Sequence, residues 1–248
     1  MNGRLNISPT PEALAQAAAQ EVSVQLCEAV DTHGRAVMAL SGGMTPRSVY
    51  ELLASDVFRA RVPWESVHVF WGDERCVPPE HPDSNFKMAN DALLRHVDIP
   101  ASHIHRIHGE SKPEHASLAY EEEIRRMFNV DRNTIPVFDL ILLGLGDDGH
   151  TASLFPGTSA LSERERLVTG VFVQSKKTYR VTLTYPVINR AHHVLFLVSG
   201  KGKAAILADV LQSDTGTFPA QLIRPVGGDL QWLVDQDAAS QLEPMHNP

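Results

Sequence analysis

The run Gly146-Asp147-Asp148-Gly149-His150-Thr151 sets an imidazole beside carboxylates in a turn hinged by glycine. Histidine titrates near neutrality, so His150 has the chemistry of a general base that takes a proton from water, with Asp148 available to orient the ring. A second run, Gly72-Asp73-Glu74-Arg75, supplies a fixed cation in Arg75 that can bind a carboxylate or stabilise an oxyanion. Asp73 there is either a substrate contact or the anchor of Arg75.

Two further stretches suit an anion. Ser41-Gly42-Gly43-Met44-Thr45-Pro46 places glycine amides just ahead of a helix start, where an anion can approach the backbone. The same residues also suffice for a tight turn, and their spacing is neither the nucleotide P-loop nor the dinucleotide fingerprint. Arg47 favours the anion, because a cation in a first helical turn opposes the dipole unless negative charge lies nearby. Lys203, after Ser199-Gly200-Lys201-Gly202, repeats that pattern, and two such loops can hold one phosphate between them. Taken alone, Lys201 and Lys203 also read as solvated surface charges. Ser84 and Asn85, in His81-Pro82-Asp83-Ser84-Asn85-Phe86, offer neutral donors and acceptors for sugar hydroxyls, although Asp83 or Ser84 serves equally as the cap of a helix from Phe86 to Leu94. His103, His105 and His108 resemble metal ligands at first sight, but alternation along a strand sends His108 to the opposite face, and no metal is expected there.

These loops need a scaffold, and the apolar pattern supplies one. Ala36 to Leu40 and Val194 to Val198 are continuous apolar runs, and Val67 to Trp71 and Val137 to Leu143 are predominantly apolar; each leads into glycine-containing sequence, as expected of buried strands followed by sharp loops. Pro11 to Val30 has helical spacing at Leu14, Ala18, Val22 and Leu26. Thr45 as N-cap and Pro46 as first residue open a second helix, and a third runs through Leu211. The alternation predicts an α/β fold, a mainly parallel Rossmann-like sheet with helices on both faces, whose ligands gather beyond the carboxyl ends of the strands. The runs that begin at Ser41, Gly72, Gly146 and Ser199 fall at such ends.

The chain is 248 residues long with 43% hydrophobic residues, enough for one domain spanning 1–248, ending in a loose tail over Gln241 to Pro248. A net charge of -8 without a basic run argues against a nucleic-acid or anionic-lipid surface, so positive charge for an anionic ligand must be concentrated in the site. Cys27 and Cys76 are too few for a disulfide framework. Glu12, Glu21 and Glu28 interrupt the N-terminal stretch, unlike a signal peptide, and no run reaches membrane-spanning length. A reducing, cytoplasmic setting is expected, with no nucleic acid or membrane as partner and no cofactor signature. The oligomeric state is not legible.

The loops together resemble the 6-phosphogluconolactonase family over nearly the whole chain, through Leu40 to Pro46, Phe70 to Arg75, Asp83 to Asn85, Gly144 to Pro156 and Ser199 to Ala204. Lys203 matches the family's late phosphate-binding lysine; Ser199 departs from its more usual threonine. The resemblance implies a phosphorylated sugar lactone as substrate, hydrolysed in the oxidative pentose phosphate pathway, and a fold similar to glucosamine-6-phosphate deaminases. It implies phosphate against Gly42, Gly43, Arg47 and Lys203, with His150 as base and Arg75 at the oxyanion. A deaminase is the nearest alternative, but those enzymes carry an acid five residues after the histidine, where this sequence has Phe155. A non-catalytic sugar-phosphate sensor is the other alternative. Such regulators carry a DNA-binding module, and the residues before Ala36 supply only one helix.

Overall fold

The computed structural model describes residues 3–213 and 216–243. Its strands are β1 (Arg4–Ser8), β2 (Ala36–Leu40), β3 (Val67–Trp71), β4 (Asp73–Arg75), β5 (Leu140–Leu143), β6 (Val168–Val173), β7 (Thr178–Leu183), β8 (His193–Val198) and β9 (Asp229–Asp235). The helices are α1 (Pro11–His33), α2 (Met44–Leu53), α3 (Asp56–Arg59), α4 (Asn85–Ala92), α5 (Pro113–Phe128), α6 (Tyr185–Ile188) and α7 (Ala204–Gln212).

Leu14, Ala18, Val22 and Leu26 form the buried stripe of α1, as their spacing predicts. Thr10 caps this helix by accepting the Ala13 amide at 3.2 Å, and Gly34 ends it at φ 73°. It continues past Val30 because the first residue suited to a left-handed turn comes only at Gly34. The expected start of α2 shifts the other way: Gly43, not Thr45, is the cap, and no side chain bonds the first turn. Val137 to Asp139 stay outside β5. Asp139 takes over the start of the ladder there, accepting the Val37 amide with its carboxylate at 2.7 Å and donating its own amide to the Val37 carbonyl at 3.0 Å.

The main sheet runs β1-β9-β8-β5-β2-β3, and every neighbouring pair is parallel. All residues of β2 and β5 are buried, so both faces of the sheet centre are covered. From β2 the chain moves outward to β3, then returns past β2 to β5 and continues outward on the other side through β8 and β9. The connections therefore diverge between β2 and β5, the point at which parallel sheets open a crevice at their carboxyl ends.

A second, antiparallel sheet, β4-β7-β6, is an addition that the apolar runs did not predict. It begins one residue after β3. Gly72 bridges the two sheets by donating its amide to Leu40 at 2.9 Å and accepting the Leu183 amide on its carbonyl at 2.8 Å. Buried residues of both sheets join one hydrophobic cluster. The edge strand β1 also corrects the expectation that only a helix precedes Ala36.

Leu242 packs on the core and Glu243 exchanges two hydrogen bonds with Gln212, so the start of the expected tail is held. Residues 244–248 of that tail lie outside the described residues. Among the described residues no helix is long and apolar enough to cross a membrane.

Candidate active site

The loops leaving β2, β3, β5 and β8 meet around a cavity of about 550 Å³, at the sheet end where the connections diverge. Its first wall is the turn Ser41-Gly42-Gly43. The buried Tyr50 hydroxyl holds this turn by accepting the Ser41 amide at 3.0 Å and donating to the Ser41 carbonyl at 2.8 Å. Gly42 is required by a close approach, since a Cβ there would stand 2.0 Å from Asn85 Oδ1. With no side chain capping α2, the amides of its first turn remain available to an anion.

The loop after β5 presents His150. Its turn is closed by the Gly146 amide on the His150 carbonyl at 2.8 Å, and the imidazole lies so close that a Cβ on Gly146 would meet Nδ1 at 1.9 Å. Nδ1 is 2.5 Å from Asp148 Oδ1. An ionised carboxylate only accepts, so the proton sits on Nδ1 and the lone pair on Nε2. Phe155 stacks on the ring at 3.7 Å between centroids and 20° between planes. Burial holds the imidazole below its ordinary pKa, against the opposing bond and charge of Asp148. On Asp148 burial pushes upward, yet the bond to His150 and its charge leave the carboxyl below its usual range. The ring is thus neutral, oriented and basic at neutral pH.

The second sheet brings two arginines opposite one another. In the β4–β7 register Arg75 pairs with Arg180, and both line the cavity. The Arg75 Nη1 donates to the Asp83 carbonyl, which fixes that guanidinium. Nε of each arginine is buried without a hydrogen-bond partner among the described residues. Burial, opposed by the charge of Asp73 and reinforced by Arg75, lowers the proton affinity of Arg180. Like charges placed side by side with unused donors suit an anionic ligand group. Asp73, 7% exposed, is itself held by Ser153 Oγ at 2.6 Å and by Asn85 Nδ2 at 3.2 Å.

Of the residues singled out in the sequence, Ser41, Gly42, Gly43, Asp73, Arg75, Asn85, Asp148, His150 and Lys203 share this cavity. Thr45, Arg47 and Ser84 are not among its lining. Arg47 pairs with Glu51 at 2.9 Å, one turn along α2. Ser84 is buried, caps α4 through the Lys87 amide and donates to Glu74 Oε2 at 3.0 Å. The Lys203 ammonium pairs with the exposed Asp147 carboxylate, which lowers the pKa of that acid. Sequence reading missed Arg180, Lys176 and Ser153, all in the lining. Arg180 stands in the alternating run Thr178–Leu183, a strand signal that local pattern could have supplied.

Glu74 works behind the site. Nearly inaccessible, it accepts the amides of Arg75, Asn85 and Phe86 at 2.7 to 2.8 Å and so ties β4 to the start of α4. Of the three histidines weighed as ligands, His108 stands apart while His103 and His105 both meet His68. His105 lies between His68, at 3.0 Å, and Glu123, at 2.7 Å, with His103 stacked on His68, while His108 pairs with Glu110 at 3.3 Å. His103 stands on a 3₁₀ turn, not on the strand that the alternation argument assumed.

A family model described as glucosamine-6-phosphate isomerases/6-phosphogluconolactonase matches residues 9–232. A 6-phosphogluconolactonase of Synechocystis sp. is 47% identical over 227 residues, covering 90% of this chain and 91% of its own. The solved 6-phosphogluconolactonase of Trypanosoma cruzi superposes with a TM-score of 0.87 at 32% identity, covering 98% of each chain. A solved monomeric glucosamine-6-phosphate deaminase shares the fold, with a TM-score of 0.78 at 23% identity over 96% of this chain and 99% of its own.

Proposed function

The chain belongs to the glucosamine-6-phosphate isomerase/6-phosphogluconolactonase family, and from that premise we propose that it hydrolyses 6-phospho-D-glucono-1,5-lactone to 6-phosphogluconate in the oxidative pentose phosphate pathway. The observation that carries this reading is His150, with Nδ1 committed to Asp148 and Nε2 left as a base in a cavity edged by cations.

The substrate phosphate lies against the Gly42 and Gly43 turn, the open amides of α2 and Lys203, which exchanges Asp147 for the phosphate. Arg47, paired with Glu51 and outside the lining, is left out of this contact. Binding energy at the phosphate orients the reacting carbon. Water attacks the lactone carbonyl as Nε2 of His150 takes its proton. The carbonyl oxygen becomes an oxyanion beside Arg75 and Arg180, whose unused donors suit developing negative charge. Collapse breaks the bond to the ring oxygen, and the imidazolium returns its proton to that oxygen as it becomes a hydroxyl. The new carboxyl group ionises against the same two guanidiniums, releasing a proton to solvent.

Phe155 disfavours the deaminase reading. It fills the position of the ring-opening acid with a phenyl group stacked on His150. We further read the protein as one sugar-phosphate domain of the cytoplasm that acts on a phosphorylated lactone, with neither nucleic acid nor membrane as partner. The net charge of -8 and two free cysteines support this. The test generates the lactone in situ, couples product to its dehydrogenase and subtracts spontaneous hydrolysis. A large acceleration that His150→Asn abolishes while lactone binding persists is the expected result. Absence of acceleration in the wild type overturns the reading and makes ammonia release from glucosamine 6-phosphate the next assay.

A further inference from the structure

At the end of the main sheet opposite the cavity, three potential ligands converge just ahead of adjacent parallel strands. His33 closes α1 before β2, Asp139 immediately precedes β5, and His192 immediately precedes β8. One nitrogen of each imidazole and one carboxylate oxygen all lie within 4.8 Å of one another. The carboxylate is immobilised through the Val37 amide at 2.7 Å. Neither imidazole makes a hydrogen bond among the described residues, and none joins either ring to Asp139. The planes of the two rings lie 15° apart with centroids separated by 6.4 Å. This is therefore not a hydrogen-bonded histidine–carboxylate chain. It is a set of donors directed at common space, in a cavity of about 380 Å³ that Glu28, His193 and Asp229 also line.

We propose that His33, Asp139 and His192 bind a divalent transition-metal ion of the zinc class, which staples the end of α1 to the starts of β5 and β8. Two imidazole nitrogens and one carboxylate oxygen select such an ion over magnesium or calcium, which favour all-oxygen sites, and water completes four-coordination. Zinc bonds of about 2.0–2.1 Å imply ligand separations of about 3.3 Å in a tetrahedron, so the imidazoles must close inward slightly. Both histidines are exposed. The ion would link three segments distant in sequence and bind the folded chain alone, so it stabilises the fold without entering the reaction.

Calorimetric titration of the metal-free protein with zinc tests the site, together with thermal unfolding and with His33→Ala and His192→Ala. One zinc per chain is expected, with a rise in the unfolding midpoint of about 5 °C or more at a hundredfold excess over Kd. Each substitution should weaken that binding by about 100-fold or more and remove the thermal shift. Lactone hydrolysis at room temperature should be unchanged in both variants. Absence of zinc binding by the wild type overturns the proposal. So does zinc binding that survives both substitutions, as it would if the ion went to His68, His103 and His105.

Discussion

Replacing Asp148 by Asn isolates what the carboxylate does for His150. The substitution keeps size and one acceptor oxygen but removes the charge that stabilises the imidazolium formed as water attacks. The heavy atoms are 2.5 Å apart, and the Asp148 side chain is 44% exposed, so the interaction is well screened. An effective dielectric of about 40 to 80 gives roughly 2–3 kcal/mol at that distance, a loss in kcat of about 20- to 300-fold. The sign of the accompanying pH effect is fixed as well. His150 must be neutral to act, and burial already holds it below its ordinary value while Asp148 pulls it upward. Removing that anion lowers the proton affinity further, so the acid limb of the kcat/KM profile moves to lower pH even as the plateau falls. The coupled lactone assay across pH reads both quantities. A plateau within about threefold of wild type, or an acid limb displaced upward, refutes the base–orienter assignment.

Gly146→Ala drives a Cβ into His150 Nδ1, and because the imidazole end can swing away, kcat should fall by about 100-fold with an unfolding midpoint near that of wild type; an unchanged kcat rejects the tight seating of the ring. Arg180→Ala removes one of two adjacent guanidiniums, so kcat/KM should drop by about 10- to 100-fold. Stability should hold or rise as the repulsion on Arg75 is relieved, and a fall in urea stability without a kinetic defect would make Arg180 structural. Glu74→Ala strands the amides of Arg75, Asn85 and Phe86, and urea unfolding should register a loss of about 3–5 kcal/mol. A loss under 1 kcal/mol, on the order of a single net hydrogen bond, would count against that anchoring role.

The parts of the site legible in sequence are those in which local grammar and chemistry coincide. The runs Ala36–Leu40 and His193–Val198 end in glycine loops, so the phosphate side of the cavity follows from apolar stretches and their punctuation. His150 and Asp148 are two residues apart, and their pairing needs no tertiary knowledge. Arg180 is different, because its place beside Arg75 depends on an antiparallel register between segments about a hundred residues apart, which no local pattern fixes. The two halves of β4-β7-β6 also read weakly: β4 has only three residues, and the outer part of β7 is partly exposed. Arg47 and Ser84 present the opposite case, since both stand outside the cavity lining. Each has suitable chemistry at a plausible position, yet an ion pair one helical turn away occupies the first and a cap and a buried glutamate occupy the second.

Gly72 lets a single extended segment leave one sheet and enter another. The cavity therefore lies on a seam, with the proposed phosphate cradle and the proposed base on parallel-sheet loops and the paired guanidiniums on the antiparallel ribbon. On the proposed mechanism, recognition of the phosphate end of the substrate and handling of its reactive end are carried by separable pieces of backbone. Side chains on β4 and β7 can change while the Gly42 turn and its helix stay as they are. A family that includes both isomerases and lactonases is what such a division of labour permits, and redesign toward other phosphorylated lactones should begin on the ribbon.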